Sequence, residues 1–331
     1  MIKLILFTLV LSHAHAGNQE NLLKVSQLKR LAFGSCSNQK EPQPLWKELS
    51  KDAPDLFIHG GDNIYADTKD LSALIASWNA LSSLSDYAAF RKVTPVIGIW
   101  DDHDFALNDS DGHLPIKKES KEIFLNWMEE PLDSPRRIRE GIYTSHTFGV
   151  GDRRIKIILL DNRYFRNLDK KAPLLGETQW KWLETELKDS PAAINFIVSG
   201  VSVLSPKIPS SDGWINYPTE HKRLLQLIPK TAAKGVVFLT GDKHFSSIFK
   251  RDGHLEFLSS GLTHNRPHWM IPFLQRFYPN STHELNYGII DISWTGNIPT
   301  LKMAIRNRTG KTSFGETYTL KANSWIPISP L

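Results

Sequence analysis

The sequence predicts an α/β protein in which mixed β-sheets pack together and α-helices flank them on the outside. Short apolar runs alternate with amphipathic segments along the chain. The early runs are separated by helical segments, whereas the late runs follow each other closely. No internal repeat, low-complexity tract or long Pro/Gly/Ser linker divides the 331 residues. We therefore expect one domain over residues 17–331.

Ten segments have the length and the apolar pattern of β-strands. They are 30–36, 55–60, 95–100, 141–148, 154–160, 195–203, 235–240, 255–259, 288–294 and 300–306. Three longer segments, 117–130, 177–188 and 219–228, predict helices. In the second, Trp180, Leu183 and Leu187 recur on one helical face, which indicates a core position.

Residues 262–286 have no clear period and contain three His, three Pro and several aromatic residues. We expect this segment to form a loop or lid near a site.

The composition is that of a soluble globular protein, with 40% hydrophobic and 23% charged residues. The net charge is +5, and no run of like charges concentrates it. We therefore do not expect binding of nucleic-acid duplexes, whereas a mild basic excess suits an anionic substrate.

The N-terminus predicts a secretory signal peptide over residues 1–16. Lys3 precedes an apolar run at 4–11, and Ala14-His15-Ala16 forms a small-x-small cleavage site. The apolar run is too short to span a bilayer, and no later segment reads as transmembrane. We expect a secreted or periplasmic protein. Its single cysteine, Cys36, cannot form an intrachain disulfide. The thiol is either a small buried hydrophobic group or a metal ligand.

Several predicted strands end in residues that bind metal ions. Cys36 ends the first strand, Asp62 and Tyr65 follow the second, Asp102 and His103 the third, and Asp242 and His244 a later one. Side chains at the carboxyl ends of strands in α/β sheets converge. Thiolate, phenolate, imidazole and carboxylate suit a transition metal, and further carboxylates suit calcium. We also expect the acidic run WDDHD to need a cation to offset its repulsion.

Each residue alone has a simpler explanation. Asp62 can cap the following turn, Tyr65 can be a half-buried aromatic residue, and His103 can be a structural histidine. Together the strand-end residues predict a metal site.

A series of motifs resembles the PhoD-like alkaline phosphatases, a branch of the calcineurin-like metallophosphoesterases. The motifs are GSCSNQ, GGDNIYAD, WDDHDFALNDSDG, GIYTSHTFG, LLDNRYFR, LLGETQWKWLETEL and TGDKHFSSI, and they lie between about residues 31 and 264. The late GHxH motif of the purple acid phosphatases is absent, which favours the PhoD-like branch. Cys36 stands where the wider superfamily begins with Asp-x-His, and Lys243 stands where a small apolar residue is expected.

The resemblance implies a metallophosphoesterase fold and an exported hydrolase of phosphate monoesters or diesters. It implies ferric iron (Fe3+) and calcium (Ca2+) as cofactors and small-molecule or lipid phosphate esters as substrates. On the matching positions, Cys36 and Tyr65 would bind iron, and Asp62 would bridge the ions. Asp102, Asp242 and His244 would complete the metal ligands, and His103 would be catalytic. We expect a monomer that uses a metal-activated hydroxide.

Two residues are candidates for phosphate binding. Arg163 can clamp phosphate oxygens, or it can pair with Asp161 and hold its loop. His264 can face the site or make a structural hydrogen bond.

Two other functions remain open. One is a phosphodiesterase or phospholipase acting on lipid or nucleotide diesters, favoured by Trp269, Phe273 and Phe277 in the expected lid. The other is a calcium-stabilised binding protein without turnover, which an intact His103 argues against.

Overall fold

The computed structural model describes residues 17–169, 173–188, 190–206 and 212–330. Within these residues the chain forms fourteen strands and ten α-helices. The expected signal peptide at 1–16 lies outside them. Among the residues described, no helix has both the length and the apolar character needed to cross a membrane.

The strands are β1 Arg30–Gly34, β2 Leu56–Gly60, β3 Val96–Ile99, β4 Thr144–Phe148, β5 Ile155–Leu159, β6 Ile194–Ser199, β7 Val236–Thr240, β8 Ser246–Arg251, β9 His254–Ser259, β10 Ser281–Thr282, β11 Asn286–Thr295, β12 Ile298–Asn307, β13 Thr312–Lys321 and β14 Ser324–Pro330. The helices are α1 Gly17–Lys24, α2 Leu45–Asp52, α3 Leu71–Ser82, α4 Ser85–Val93, α5 Asp102–Phe105, α6 Lys117–Trp127, α7 Pro135–Ile138, α8 Gly176–Leu187, α9 Pro218–Lys230 and α10 Ile271–Gln275. Short 3-10 turns occupy Gly151–Arg153, Trp214–Asn216 and His268–Met270.

The strands form two seven-stranded mixed sheets. The first has the order β14-β13-β12-β11-β1-β2-β3, and the second has the order β10-β8-β9-β7-β6-β5-β4. In the first sheet β1, β2 and β3 are parallel, and β11 pairs antiparallel with β1. In the second sheet β5, β6, β7 and β9 are parallel. Each sheet therefore has a block of parallel strands whose carboxyl ends share one edge.

The main core joins the two sheets. Phe33 on β1 contacts Phe257 on β9 edge to face, with ring centroids 4.8 Å apart. Both residues belong to one buried cluster that includes side chains of both sheets. Sheet-on-sheet packing of this kind buries the inner face of each sheet.

Helices cover the outer faces. On the first sheet, Trp46 of α2 and Phe90 of α4 pack against Phe57 of β2. On the second sheet, Trp180 and Leu183 of α8 lie in a separate buried cluster that also contains strand residues. The predicted core stripe of α8 is therefore confirmed, and so is the predicted class of two packed mixed sheets flanked by helices.

All ten predicted strands are present, with ends shifted by a few residues. Strands β8, β10, β13 and β14 were not predicted, and of the ten α-helices only α6, α8 and α9 were predicted. The expected loop at 262–286 is only partly irregular, because it contains α10 and β10. Strand β13 was missed because most of its residues are polar and only partly buried, so its apolar alternation is weak.

We expect Gly288→Ala to destabilise the protein. Gly288 lies on β11 beneath the ring of Phe33, and an added Cβ would overlap that ring. Overpacking at this contact should lower the free energy of unfolding by about 1–3 kcal/mol. Chemical denaturation measures the change, with Ser293→Ala at an exposed position of the same strand as the control. Equal stability of both variants would contradict the account of the close packing between Gly288 and the ring of Phe33 on the neighbouring strand.

Candidate metal centre

The carboxyl ends of β1, β2 and β7 bring together a thiol, a carboxylate and an imidazole. One ligand atom each from Cys36, Asp62 and His244 lies within 4.8 Å of the others. Cys36 Sγ is 3.6 Å from Asp62 Oδ2. The Tyr65 hydroxyl is 3.4 Å from the same oxygen and 3.1 Å from His244 Nε2. Four residues separated by up to about two hundred positions therefore converge on one small volume.

A second group forms around the same aspartate. Ligand atoms of Asp62, Asp102 and His103 also lie within 4.8 Å of one another. Asp62 thus belongs to both groups. Cys36 and His244 come from the segments after β1 and β7, and Asp102 and His103 are the first two residues of α5. A carboxylate has two oxygens, so this placement suits a residue that bridges two cations.

The donor set fits a metal cation. Asp62 Oδ1 is buried and has no hydrogen-bond partner, which is unusual for a buried carboxylate oxygen. Burial raises the pKa of the Cys36 thiol to about 11. Burial, followed by the nearby charge of Asp102, holds the pKa of Asp62 well above its ordinary value. Cations would offset these costs and stabilise the ionised ligands.

Burial also favours the uncharged forms of Tyr65 and His244, although it moves their pKa values in opposite directions. Burial, followed by the charge of Cys36, raises the pKa of the Tyr65 phenol. Burial, followed by the charge of His264, lowers the pKa of His244 to about 3. His244 is therefore neutral at physiological pH, and neutral imidazole is the form that binds metals.

The backbone of the site is strained. Six of its non-glycine residues have positive φ, namely Cys36 at 61°, Asp62 at 52°, Asp67 at 48°, Asp109 at 58°, Asp242 at 74° and His244 at 58°. Such conformations cost roughly 1–3 kcal/mol each and are kept where surrounding structure enforces them. Gly61, with φ of 97°, permits the turn before Asp62, since a Cβ there would lie 2.8 Å from that of Asp101.

Aromatic rings form a column beside the ligand groups. Tyr65 packs against His103 with ring centroids 4.1 Å apart and against His264 at 4.5 Å. His264 also stacks on His244 at 4.5 Å. Its Nδ1 is 3.2 Å from the carbonyl oxygen of Cys36. His264 therefore both faces the site and makes a structural contact.

Only one of the three acids in WDDHD belongs to a ligand group. Asp101 forms an ion pair with Arg163 at 2.6 Å. Asp104 accepts hydrogen bonds from the backbone amides of Asp101 and Asn63. Burial nevertheless raises the pKa of Asp101 to about 7 and holds the pKa of Asp104 well above its ordinary value. The expectation that the run needs a cation therefore stays a prediction, although Arg163 already supplies one positive charge to Asp101.

Asp102 is the acid of this run that belongs to a ligand group. Its Oδ2 accepts a hydrogen bond of 2.7 Å from the Asp109 amide. Burial acts to raise its pKa, but the charges of Arg163 and His103 outweigh burial and lower the pKa. Asp102 is therefore ionised and held in place by the loop that follows α5.

Arg163 is fully buried between carboxylates. Its side chain pairs with Asp101 and, at 3.2 Å, with Asp212, while Asp161 accepts a hydrogen bond from its backbone amide. Burial acts to lower the pKa of Arg163, but Asp101, Asp102 and Asp212 outweigh burial and raise it. The Arg163 guanidinium therefore pairs with Asp101 and Asp212 instead of Asp161, which contacts Arg163 only through the backbone amide.

Asp242 lies at the same end of β7 but belongs to neither ligand group of the described residues. Lys243 Nζ is 3.4 Å from Asp242 Oδ2, and the Lys243 side chain is buried. The unexpected lysine thus supplies a positive charge beside the ligand groups. A ligand role for Asp242 stays a prediction.

Two residues that were not predicted contact the predicted ones. Asp67 Oδ1 is 2.7 Å from His103 Nδ1. Ser260 Oγ is 3.1 Å from Cys36 Sγ and accepts a hydrogen bond from the His244 amide. Ser260 directly follows β9, so it could have been predicted in the same way as the other residues at the carboxyl ends of strands. Asp67 ends the GGDNIYAD motif, but nothing in its spacing indicates His103 as its partner.

Known proteins resemble this chain in sequence. A family model described as PhoD-like phosphatase matches residues 76–269, which is more than half of the chain. The match includes the ends of β3, β5 and β7 and begins after those of β1 and β2. Alkaline phosphatase D of Bacillus subtilis (strain 168) is 26% identical over an alignment covering 65% of this chain. That alignment covers 46% of the relative, so the chain spans about half its length.

Solved structures share the fold. The structure of a PhoD superposes with a TM-score of 0.70 at 17% identity, covering 92% of this chain and 72% of that one. A purple acid phosphatase from yellow lupin gives a TM-score of 0.58 at 11% identity, covering 89% of this chain and 54% of that one. At these identities the likeness shows the fold, and it confirms the expected metallophosphoesterase fold.

We expect Asp212→Asn to cost stability in a pH-dependent way. In the native protein, burial opposes the ionisation of Asp212, but the charges of Arg163 and Arg166 outweigh burial and lower the pKa of Asp212 from 3.8 to about 2. Ionised Asp212 therefore stabilises the folded protein above about pH 4, and this stabilisation is lost as the pH falls towards about 2. The variant should lose on the order of 2 kcal/mol of unfolding free energy at pH 7.

Urea denaturation at pH 7 and at steps down to about pH 3 checks this expectation. Asp86→Asn, at an exposed site, is the control. A loss for Asp212→Asn that stays constant over the whole pH range would contradict the ion-pair account.

Proposed function

The chain belongs to the PhoD-like phosphatase family, and from that membership we propose that it is a metal-dependent hydrolase of phosphate monoesters or diesters. The observation that carries the proposal is the shared position of Asp62. Its carboxylate joins the Cys36–His244 group to the Asp102–His103 group. An arrangement with two adjoining cation sites suits an anionic ester and an anionic nucleophile.

We propose that the two groups hold different cations. Thiolate, phenolate and imidazole from Cys36, Tyr65 and His244 suit ferric iron, while carboxylates from Asp62 and Asp102 suit calcium. Asp242 would add a further carboxylate. Bound cations would supply charge neutralisation and lower the pKa of a bound water.

His103 would move the proton. Asp67 accepts a hydrogen bond from Nδ1, which leaves Nε2 as the nitrogen available to a substrate. A ring nitrogen of His103 also lies within 4.8 Å of Asp62 and Asp102, so this imidazole adjoins the cation sites. When protonated, it can donate a proton from Nε2 to the leaving oxygen. Its packing against Tyr65 holds the ring in this orientation.

Several predictions about the whole protein stay proposals. They are one domain over residues 17–331, export through the signal peptide, a monomeric state, and phosphate binding by Arg163 and His264. For Arg163 the burial between acids supports a role in holding Asp101 and Asp102.

The proposal is tested by elemental analysis of the purified protein together with assays on a nitrophenyl monoester and its bis-ester. We expect iron and calcium in the native protein, and loss of hydrolysis after chelation. Asp62→Asn should remove metal and activity together, with Asn38→Ala outside both ligand groups as the control. If protein reconstituted with iron and calcium hydrolyses neither ester, the binding-protein alternative is favoured.

We expect Asp67→Asn to slow the reaction without loss of metal. The substitution weakens the hydrogen bond that orients His103, so kcat should fall roughly 10–100-fold while the metal content stays unchanged. Because Asp67 acts through His103, His103→Gln and the double variant should be about equally impaired.

Steady-state kinetics over a range of pH and metal analysis measure these effects. Asp86→Asn, an exposed aspartate on α4, is the control. A double variant much slower than His103→Gln alone would show that Asp67 acts independently of His103.

A further inference from the structure

Three aromatic side chains form an exposed surface on the segment around α10. Trp269 is 79% exposed, Phe273 43% and Phe277 40%. They recur at intervals of four residues. Trp269 lies in the 3-10 turn before α10, Phe273 lies in α10 and Phe277 lies in the turn after it. The rings of Phe273 and Phe277 are in contact, with centroids 5.4 Å apart. We call these three residues the aromatic surface.

The neighbouring side of the same segment anchors it to the protein. Leu274 and Tyr278 are buried, and Met270 packs against the same cluster. Tyr278 contacts Phe245 and Phe249, with ring centroids 4.7 Å and 5.6 Å apart. These residues provide the contacts that fold the segment. The aromatic surface therefore remains exposed although the segment is well anchored, and contiguous exposed aromatic side chains mark an interaction site.

The charged side chains nearest in sequence to the aromatic surface are arginines, and Glu284 is the first acidic residue after it. Residues 262–283 contain Arg266 and Arg276 and no Asp or Glu. Arg276 is exposed between Phe273 and Phe277 in sequence. An apolar surface with adjacent arginines is complementary to a layer with an apolar interior and an anionic boundary.

The segment is also joined to the metal centre. At its start, His264 stacks on Tyr65 and His244. Arg266 Nε donates a hydrogen bond of 2.7 Å to the carbonyl oxygen of Lys243, which precedes His244. The segment that carries the aromatic surface is therefore attached at its start to residues of the candidate metal centre.

We propose that the aromatic surface docks the protein onto an anionic lipid bilayer. Trp and Phe rings enter the boundary between headgroups and acyl chains, while Arg266 and Arg276 contact anionic headgroups. A second copy of the chain is a poorer occupant. A two-fold interface would place this positively charged surface against itself. Docking does not depend on hydrolysis, so it stands or falls separately from the proposed function.

Sedimentation with phospholipid vesicles tests the proposal. The full chain should bind vesicles of phosphatidylcholine and phosphatidylglycerol, and it should bind pure phosphatidylcholine vesicles more weakly. Changing Trp269, Phe273 and Phe277 together to Ala should weaken binding by at least about tenfold. Hydrolysis of a soluble nitrophenyl ester should remain. The matched control replaces Val93, Leu132 and Ile138, which are exposed apolar residues elsewhere, with Ala.

A second measurement covers the case in which the triple variant fails to fold. Brominated lipids should quench part of the tryptophan fluorescence of the native protein, and Trp269→Phe should lose that part while still sedimenting with vesicles. Absence of vesicle binding, equal binding of the triple variant and the native protein, or unchanged quenching in Trp269→Phe would overturn the proposal. So would a dimer of the native protein that the triple variant disrupts in the absence of lipid.

Discussion

The carboxylate of Asp62 is the constraint on which the rest of the site depends. It is buried, one of its oxygens has no hydrogen-bond partner, and it lies close to Cys36, Tyr65 and Asp102. Such a cluster of acidic groups repels itself when ionised unless cations lie among its members. The backbone strain around it is consistent with a site in which ligand position outweighs local conformational preference.

The sequence predicted the members of this cluster better than their interactions. Cys36, Asp62 and His244 could be found because parallel strands end at one edge, and each residue follows such a strand. The pairing of Asp101 with Arg163 could not be found in this way, because two carboxylates next to each other in sequence look equivalent. Which of them faces a cation depends on side-chain directions that only tertiary packing determines.

The sequence also predicted some elements of the fold better than others. Strands buried on both faces, such as β2 and β7, have nearly continuous apolar runs that were easy to recognise. Strand β13 is largely polar, and helices α3 and α4 carry mixed patterns that a single periodicity does not separate from loops. The segment at 262–286 lacked a clear period because adjacent sides of its short helix bear apolar residues, one buried and one exposed.

The site is divided between the two sheets, and this division has a consequence for biosynthesis. Cys36, Asp62 and Asp102 are made early, whereas His244 and Ser260 come from the later sheet. During translation the residues of the first sheet emerge before His244, so the Cys36–Asp62–His244 group cannot form until the second sheet has been made. Assembly of both candidate ligand groups is in this way coupled to synthesis and folding of the second sheet.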